Sequence, residues 1–172
     1  MRTLLRKRLA DRTEEGFTLI ELMVVVLIIA ILLAIAIPSF LGARGKAQDR
    51  AAQSNARNAL TAEKTLFTDN DQYSSDVTTA LPGSEPSLNW VADGAFSAAK
   101  TNGKWNVVVS VSQTNTANDT VILGAKSDSG TCFYLKDVAS TPTGGVTYGK
   151  ITNPGGGSCT APSGATVASS SW

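Results

Sequence analysis

The chain has 172 residues, and its 15 Lys+Arg against 14 Asp+Glu leave a formal charge of +1, which singles out neither a polyanionic nor a polycationic partner. It contains no histidine, which removes imidazole bases, Ser-His-Asp and Cys-His triads and the commonest zinc ligand together. Charged residues make up 17% and aromatics 6%, lean values for a soluble enzyme, and the charge is unevenly distributed.

Residues 1–16 form a short leader with five basic and three acidic residues, ending in Gly16. Residues 17–37 follow with Glu21 as their single charge. As a helix they measure roughly 31 Å, close to the ~30 Å hydrocarbon core of a bilayer. A buried core helix would keep a polar face, and this stretch has none. Ala34-Ile35-Ala36 has the form of a signal-peptide cleavage site. Against that reading, the apolar run is long, carries Glu21 and is followed at once by Pro38. A membrane-inserted segment is the expected state.

The helical pattern continues beyond the membrane boundary. Ala47, Ala51, Ala52, Ala56, Ala59, Leu60, Leu66 and Phe67 recur at helical spacings, while Arg44, Lys46, Asp49, Arg50, Arg57, Glu63 and Lys64 fill much of the remainder. One helix over about residues 17–67 is predicted, with an alanine-rich face on which another element packs closely. Pro38, Gly42 and Gly45 interrupt the pattern. The proline costs about 3 kcal/mol and each glycine about 1 relative to alanine, so the stretch between them is the cheapest place to lose helix.

Residues 69–104 read as a connection with turn signals at Leu81-Pro82-Gly83-Ser84, Glu85-Pro86 and Asp93-Gly94. Residues 105–112 alternate as a strand, with Trp105, Val107, Val109 and Val111 on one face. Further strands are expected at 120–126 and 131–136, joined by the hairpin turn Ser127-Asp128-Ser129-Gly130, and a weaker one at 146–151. The apolar face of this sheet needs a cover, and the outer half of the long helix is the sizeable candidate. The Gly/Ser/Thr-rich tail from Pro154 reads as irregular. The expected class is therefore α+β, a long N-terminal helix packed on a small antiparallel sheet.

The junction Gly16-Phe17-Thr18-Leu19-Ile20-Glu21, with the apolar run and Pro38 behind it, resembles the signal sequence of type IV prepilins and of the related pseudopilins of type II secretion. The match extends loosely to about Phe67. The resemblance implies that a prepilin peptidase cuts between Gly16 and Phe17 and methylates the new Phe17 amine. It also implies that the subunits polymerise through their helices, served by an assembly platform and motor. Its domain plan is a cleaved leader (1–16), a transmembrane and polymerisation half-helix (17–43) and an extracytoplasmic domain (44–172). The subunit pool would then lie in the cytoplasmic membrane and the assembled filament outside the cell. The family is also known for local melting of the helix near the proline, the same place that the propensity costs of Pro38, Gly42 and Gly45 point to.

Glu21 has a physical reason of its own. A carboxylate in an apolar environment needs a partner, and cleavage would create a cationic amine on Phe17 needing one too. Between staggered helices the two neutralise each other; the plain alternative is a helix-terminal acid favoured by the macrodipole. Cys132 and Cys159 are the two cysteines. They lack C-x-x-C spacing, so a disulfide in a translocated domain fits, with two free thiols as the alternative.

Asp69-Asn70-Asp71 looks like the start of a calcium loop, but Tyr73, Ser74 and Ala80 break the pattern. Arg44, Lys46, Arg50 and Arg57 could meet lipid headgroups, nucleic acid or acidic neighbours; a solvated helix face is the default, and nothing further supports nucleic acid. Asn118-Asp119-Thr120 is a glycosylation sequon by pattern alone. No residue stands out as a catalyst, and no cofactor or metal site is expected. The chain reads as the main structural subunit of a pilus, with adhesion, surface motility or DNA uptake downstream. The alternatives are a major pseudopilin and a membrane-anchored binding protein that does not polymerise.

Overall fold

The computed structural model describes residues 16–92, 94, 99–114, 117–139, 144–152, 157–159 and 167–172. The leader up to residue 15, Asp93 of one expected turn and much of the tail from Pro154 lie outside the described residues. The chain divides into two compact units, Met1–Gly42 and Ala43–Trp172.

The first unit contains the beginning of helix α1 (Leu19–Asn70). From Leu19 to Leu41 its large apolar side chains are exposed, between 49% and 74%. Isoleucine and valine are only moderate helix formers in water. In hydrocarbon the helix is favoured regardless, because it satisfies every backbone group internally.

In the second unit α1 buries Ala52, Ala56, Ala59, Leu60 and Ala62. Their spacing repeats every three or four residues, so they fall on one side of the helix. The helix ends three residues beyond the expected Phe67. There the Asn70 Nδ2 donates to the Leu66 carbonyl at 3.0 Å, and Asp71 turns the chain in the left-handed region at φ 55.

The connection holds more structure than its sequence advertised. The Asp76 carboxylate accepts hydrogen bonds from the backbone N–H groups of Thr78, Thr79 and Ala80 at 2.9–3.2 Å, and from both threonine hydroxyls. These bonds, the threonine hydroxyls foremost, hold its carboxyl well below the usual carboxylate range. The turn expected at residues 81–84 becomes the single-turn helix α2 (Ala80–Ser84). Two strands follow, β1 (Leu88–Ala92) and the two-residue β2 (Lys100–Thr101).

The remaining strands are β3 (Lys104–Thr114), β4 (Ala117–Lys126), β5 (Thr131–Val138) and β6 (Val146–Thr152). Their order is β1-β3-β4-β5-β6, with β2 paired to β3. The pairs from β3 to β6 are antiparallel as expected. Pairing of β1 with β3 is parallel, so the sheet is mixed rather than wholly antiparallel. The cause lies in the return path. After β1 the chain comes back through β2 and turns at Asn102 (φ 50) and Gly103 (φ 80), which sends β3 off in the direction of β1. Positive φ at both central residues is the tight hairpin geometry that Asn-Gly favours.

Alternation sends the sheet's apolar residues to both faces. Val107, Val109, Val121, Leu123, Ala125, Phe133 and Leu135 join the helix alanines, with Tyr73, Leu81, Leu88 and Trp90, in the main core. Trp105 and Val111 pack against it half-buried. Val108, Ile122, Cys132, Tyr134, Cys159 and Val167 form a second cluster. On this face Gly124 pairs with Val108 on one side and Tyr134 on the other. A Cβ at Gly124 would lie 2.7 Å from Val108 Cγ1 and 3.0 Å from Tyr134 Cε1, so the tyrosine ring lies where only glycine leaves room.

Candidate assembly segment

Gly16 and Phe17 precede the helix and are exposed, Phe17 at 88%. The first turn is fastened locally. The Thr18 backbone N–H donates to Glu21 Oε2 at 2.8 Å, and the Glu21 backbone N–H donates to Thr18 Oγ1 at 3.2 Å. A third bond runs from the Thr18 hydroxyl to the same Oε2 at 2.7 Å. This is a reciprocal capping box, which satisfies two of the backbone donors that a helix N-terminus leaves open. The carboxylate of Glu21 thus has a role within its own helix. Its Oε1 takes no part in the box.

Behind the cap, α1 has an 18-residue window with mean hydropathy 3.3 that is wholly unburied in the structure. Length and composition suit a bilayer crossing. α1 runs without interruption through Pro38, Gly42 and Gly45. A Cβ at either glycine meets nothing within 4 Å, so packing within the single chain does not require glycine at these positions.

Cys132 and Cys159 form a disulfide with Cα atoms 5.9 Å apart, buried within the second cluster. The bond attaches residue 159 to β5 on the face opposite the helix alanines. A further tie uses Trp172, whose Nε1 donates to the Tyr134 carbonyl at 2.9 Å. Its ring meets Phe133 and Tyr148 edge-on, and the Arg57 guanidinium lies 4.7 Å from its centre.

The weaker sequence signals separate in the structure. Asp69 and Asn70 close the helix, and among the described residues no group of three or more acidic or cysteine side chains is placed to hold a metal. Arg44, Lys46 and Arg50 lie at the surface, whereas Arg57 is engaged with Trp172. In the sequon, Thr120 is buried and the Asn118 side chain faces Gln72 at 3.5 Å. Sequence reasoning missed Glu63, which it placed among the polar helix positions. Its side chain is wholly buried, at the same helical angle as Ala52, Ala56 and Ala59. That angular position was the available signal.

The family described as the prokaryotic N-terminal methylation motif matches residues 11–37. The chain is 49% identical over 60 residues to the type IV major pilin protein PilA of Myxococcus xanthus, covering 35% of this chain and 27% of that protein. It is 42% identical over 65 residues to the type IV wide pilus major component PilA4 of Thermus thermophilus, covering 38% and 50%. At most half the length of these relatives is thus matched. No solved structure matches the chain. The chain carries a prepilin-type methylation motif at its amino-terminal end and, over about a third of its length, a sequence similar to type IV major pilins.

Proposed function

We propose that this chain is a structural subunit, the major one, of a type IV pilus. The observation that carries the reading is the methylation motif at residues 11–37 joined to a capped helix with an exposed apolar surface on every side. Such a surface needs hydrocarbon or other helices around it, and a subunit that moves from membrane to filament meets each in turn. In this reading the leader 1–16 is removed between Gly16 and Phe17, and Phe17 is methylated by a prepilin peptidase. Residues 17–43 serve first as a single membrane span and then as the polymerisation helix. Residues 44–172 form the outer domain, carried to the cell surface by the assembly platform and motor. Adhesion, surface motility or DNA uptake would follow from polymerisation.

Two roles belong to the assembled state. Glu21 Oε1, outside the capping box, is available for the Phe17 amine of a neighbouring copy, where each charge relieves the other of an unpaired burial. Pro38, Gly42 and Gly45 mark where the helix opens once surrounding protein can satisfy its backbone groups. An extended stretch there rises over 3 Å per residue instead of about 1.5, which lets the filament lengthen under load.

The test combines electron microscopy of sheared surface material with mass spectrometry of its subunits. Long filaments built of a chain beginning at methylated Phe17 are expected. Gly16→Glu should leave the uncut precursor in the membrane and abolish filaments. An intact leader, or a chain starting after Ala36, in filament material would overturn the reading.

A further inference from the structure

Glu63 is the most deeply buried ionisable side chain on α1, with no exposed surface. It lies among the helix alanines, and one of its oxygens has a partner. Oε2 accepts a hydrogen bond from the Ser74 backbone N–H at 3.0 Å, while Oε1 is buried with none. Ser74 belongs to the turn that leaves the helix, and its neighbour Tyr73 anchors the same turn. The Tyr73 backbone N–H donates to the Asn118 carbonyl at 2.8 Å, its hydroxyl donates to Asp137 at 2.5 Å, and its ring centre lies 4.8 Å from that of Phe67.

We propose that Glu63 is a proton-dependent latch: protonated, it fastens the Tyr73–Ser74 turn to the buried face of α1; ionised, it drives the turn off the helix to reach water. An ionised carboxylate with one oxygen dry and unbonded is far costlier to bury than the neutral acid. The charged groups around the turn do not offset that penalty. Lys64 is committed to Asp137 at 3.1 Å. Burial, the hydrogen bond to Asp137 and the negative charges of Asp137, Glu63 and Asp119 push the Tyr73 phenol above its ordinary range. Burial raises Glu63 to about 7, against a smaller opposing pull from the Ser74 N–H. Since this value lies above the ordinary 4.5, the latch contributes fully below about pH 4.5, weakens as pH rises and is lost above about 7. The chain has no histidine to titrate in the same window. This inference concerns the outer unit and holds whether or not the chain polymerises.

The experiment uses the full chain in detergent micelles, unfolded with urea at pH 5 and pH 8 and followed by tryptophan fluorescence. Trp90, Trp105 and Trp172 all belong to the outer unit. Relative to Glu63→Gln, the wild-type unfolding constant should rise roughly 70-fold between the two pH values. A ratio constant to within about threefold would overturn the proposal; should Glu63→Gln fail to fold, Glu63→Met takes its place. Asp137→Asn should retain the pH slope, and its loss there would move the titration to the Tyr73 pair and defeat the latch. Amide exchange at Ser74 gives a readout from the wild type alone. Protection corrected for intrinsic rate should fall between pH 5 and 8, and constant protection would count decisively against the latch.

Discussion

The two stretches of α1 meet different surroundings with different side chains. Between Leu19 and Leu41 bulky Leu, Ile, Val, Met and Phe residues cover the whole circumference and stay exposed. Between Ala52 and Ala62 the buried residues are four alanines and one leucine on a single side. Each composition suits a different surrounding. A lipid or a second helix rewards apolar contact area in every direction. A sheet of the same chain rewards contact on one side, where small alanines leave room for Leu60, the buried Glu63 and the strand side chains of the core.

Removing the disulfide tests this contrast most strongly, because it staples only the second unit. Cys159→Ser should destabilise that unit by about 3 kcal/mol in the chain-entropy model, read as a lower urea midpoint of tryptophan fluorescence. Helicity of the apolar stretch in micelles should be unaffected. The next test acts on the small-residue face. Ala56→Leu should lose about 2 kcal/mol through overpacking, whereas Val26→Ala, at an exposed position, should shift the same midpoint by less than ~0.5 kcal/mol. Equal losses from the two would erase the distinction between the stretches. The smallest effect belongs to the cap. Thr18→Ala should weaken the first helical turn by about 1 kcal/mol, seen as roughly fivefold faster amide exchange at Glu21 with no change in the second unit.

The capping box is present in the sequence as a T-x-x-E spacing, from Thr18 to Glu21. The conspicuous charge of Glu21 in an apolar run masks that simpler role. Strands β3 to β6 are legible because alternation and the Ser127–Gly130 turn are local signals; the Ser127 N–H indeed donates to the Thr131 carbonyl at 2.8 Å across that hairpin. Strands β1 and β2 fall within the stretch that reads as a connection, although Asn102-Gly103 marks a hairpin and Leu88 and Trp90 alternate with half-buried neighbours. The parallel β1–β3 pairing has no local signal at all. It depends on residues distant in the chain meeting at the sheet edge, such as Leu88 with Trp105.

Local sequence is enough to mark the apolar span, the Gly16-Phe17 junction, the alanine face and the cysteine pair as the chain's organising features. Each is a matter of composition or short-range spacing, which constrains a helix or a motif without reference to the rest of the fold. Long-range packing settles which atoms those features meet. It puts Glu63 in the dry interior beside Ser74, sets Tyr134 over Gly124, gives the sheet a second buried face and places Trp172 between Arg57 and the β5 backbone. Burial and hydrogen-bond partnership come from elements distant in sequence, so a carboxylate on a helix is solvated or stranded according to the surface that packs over it.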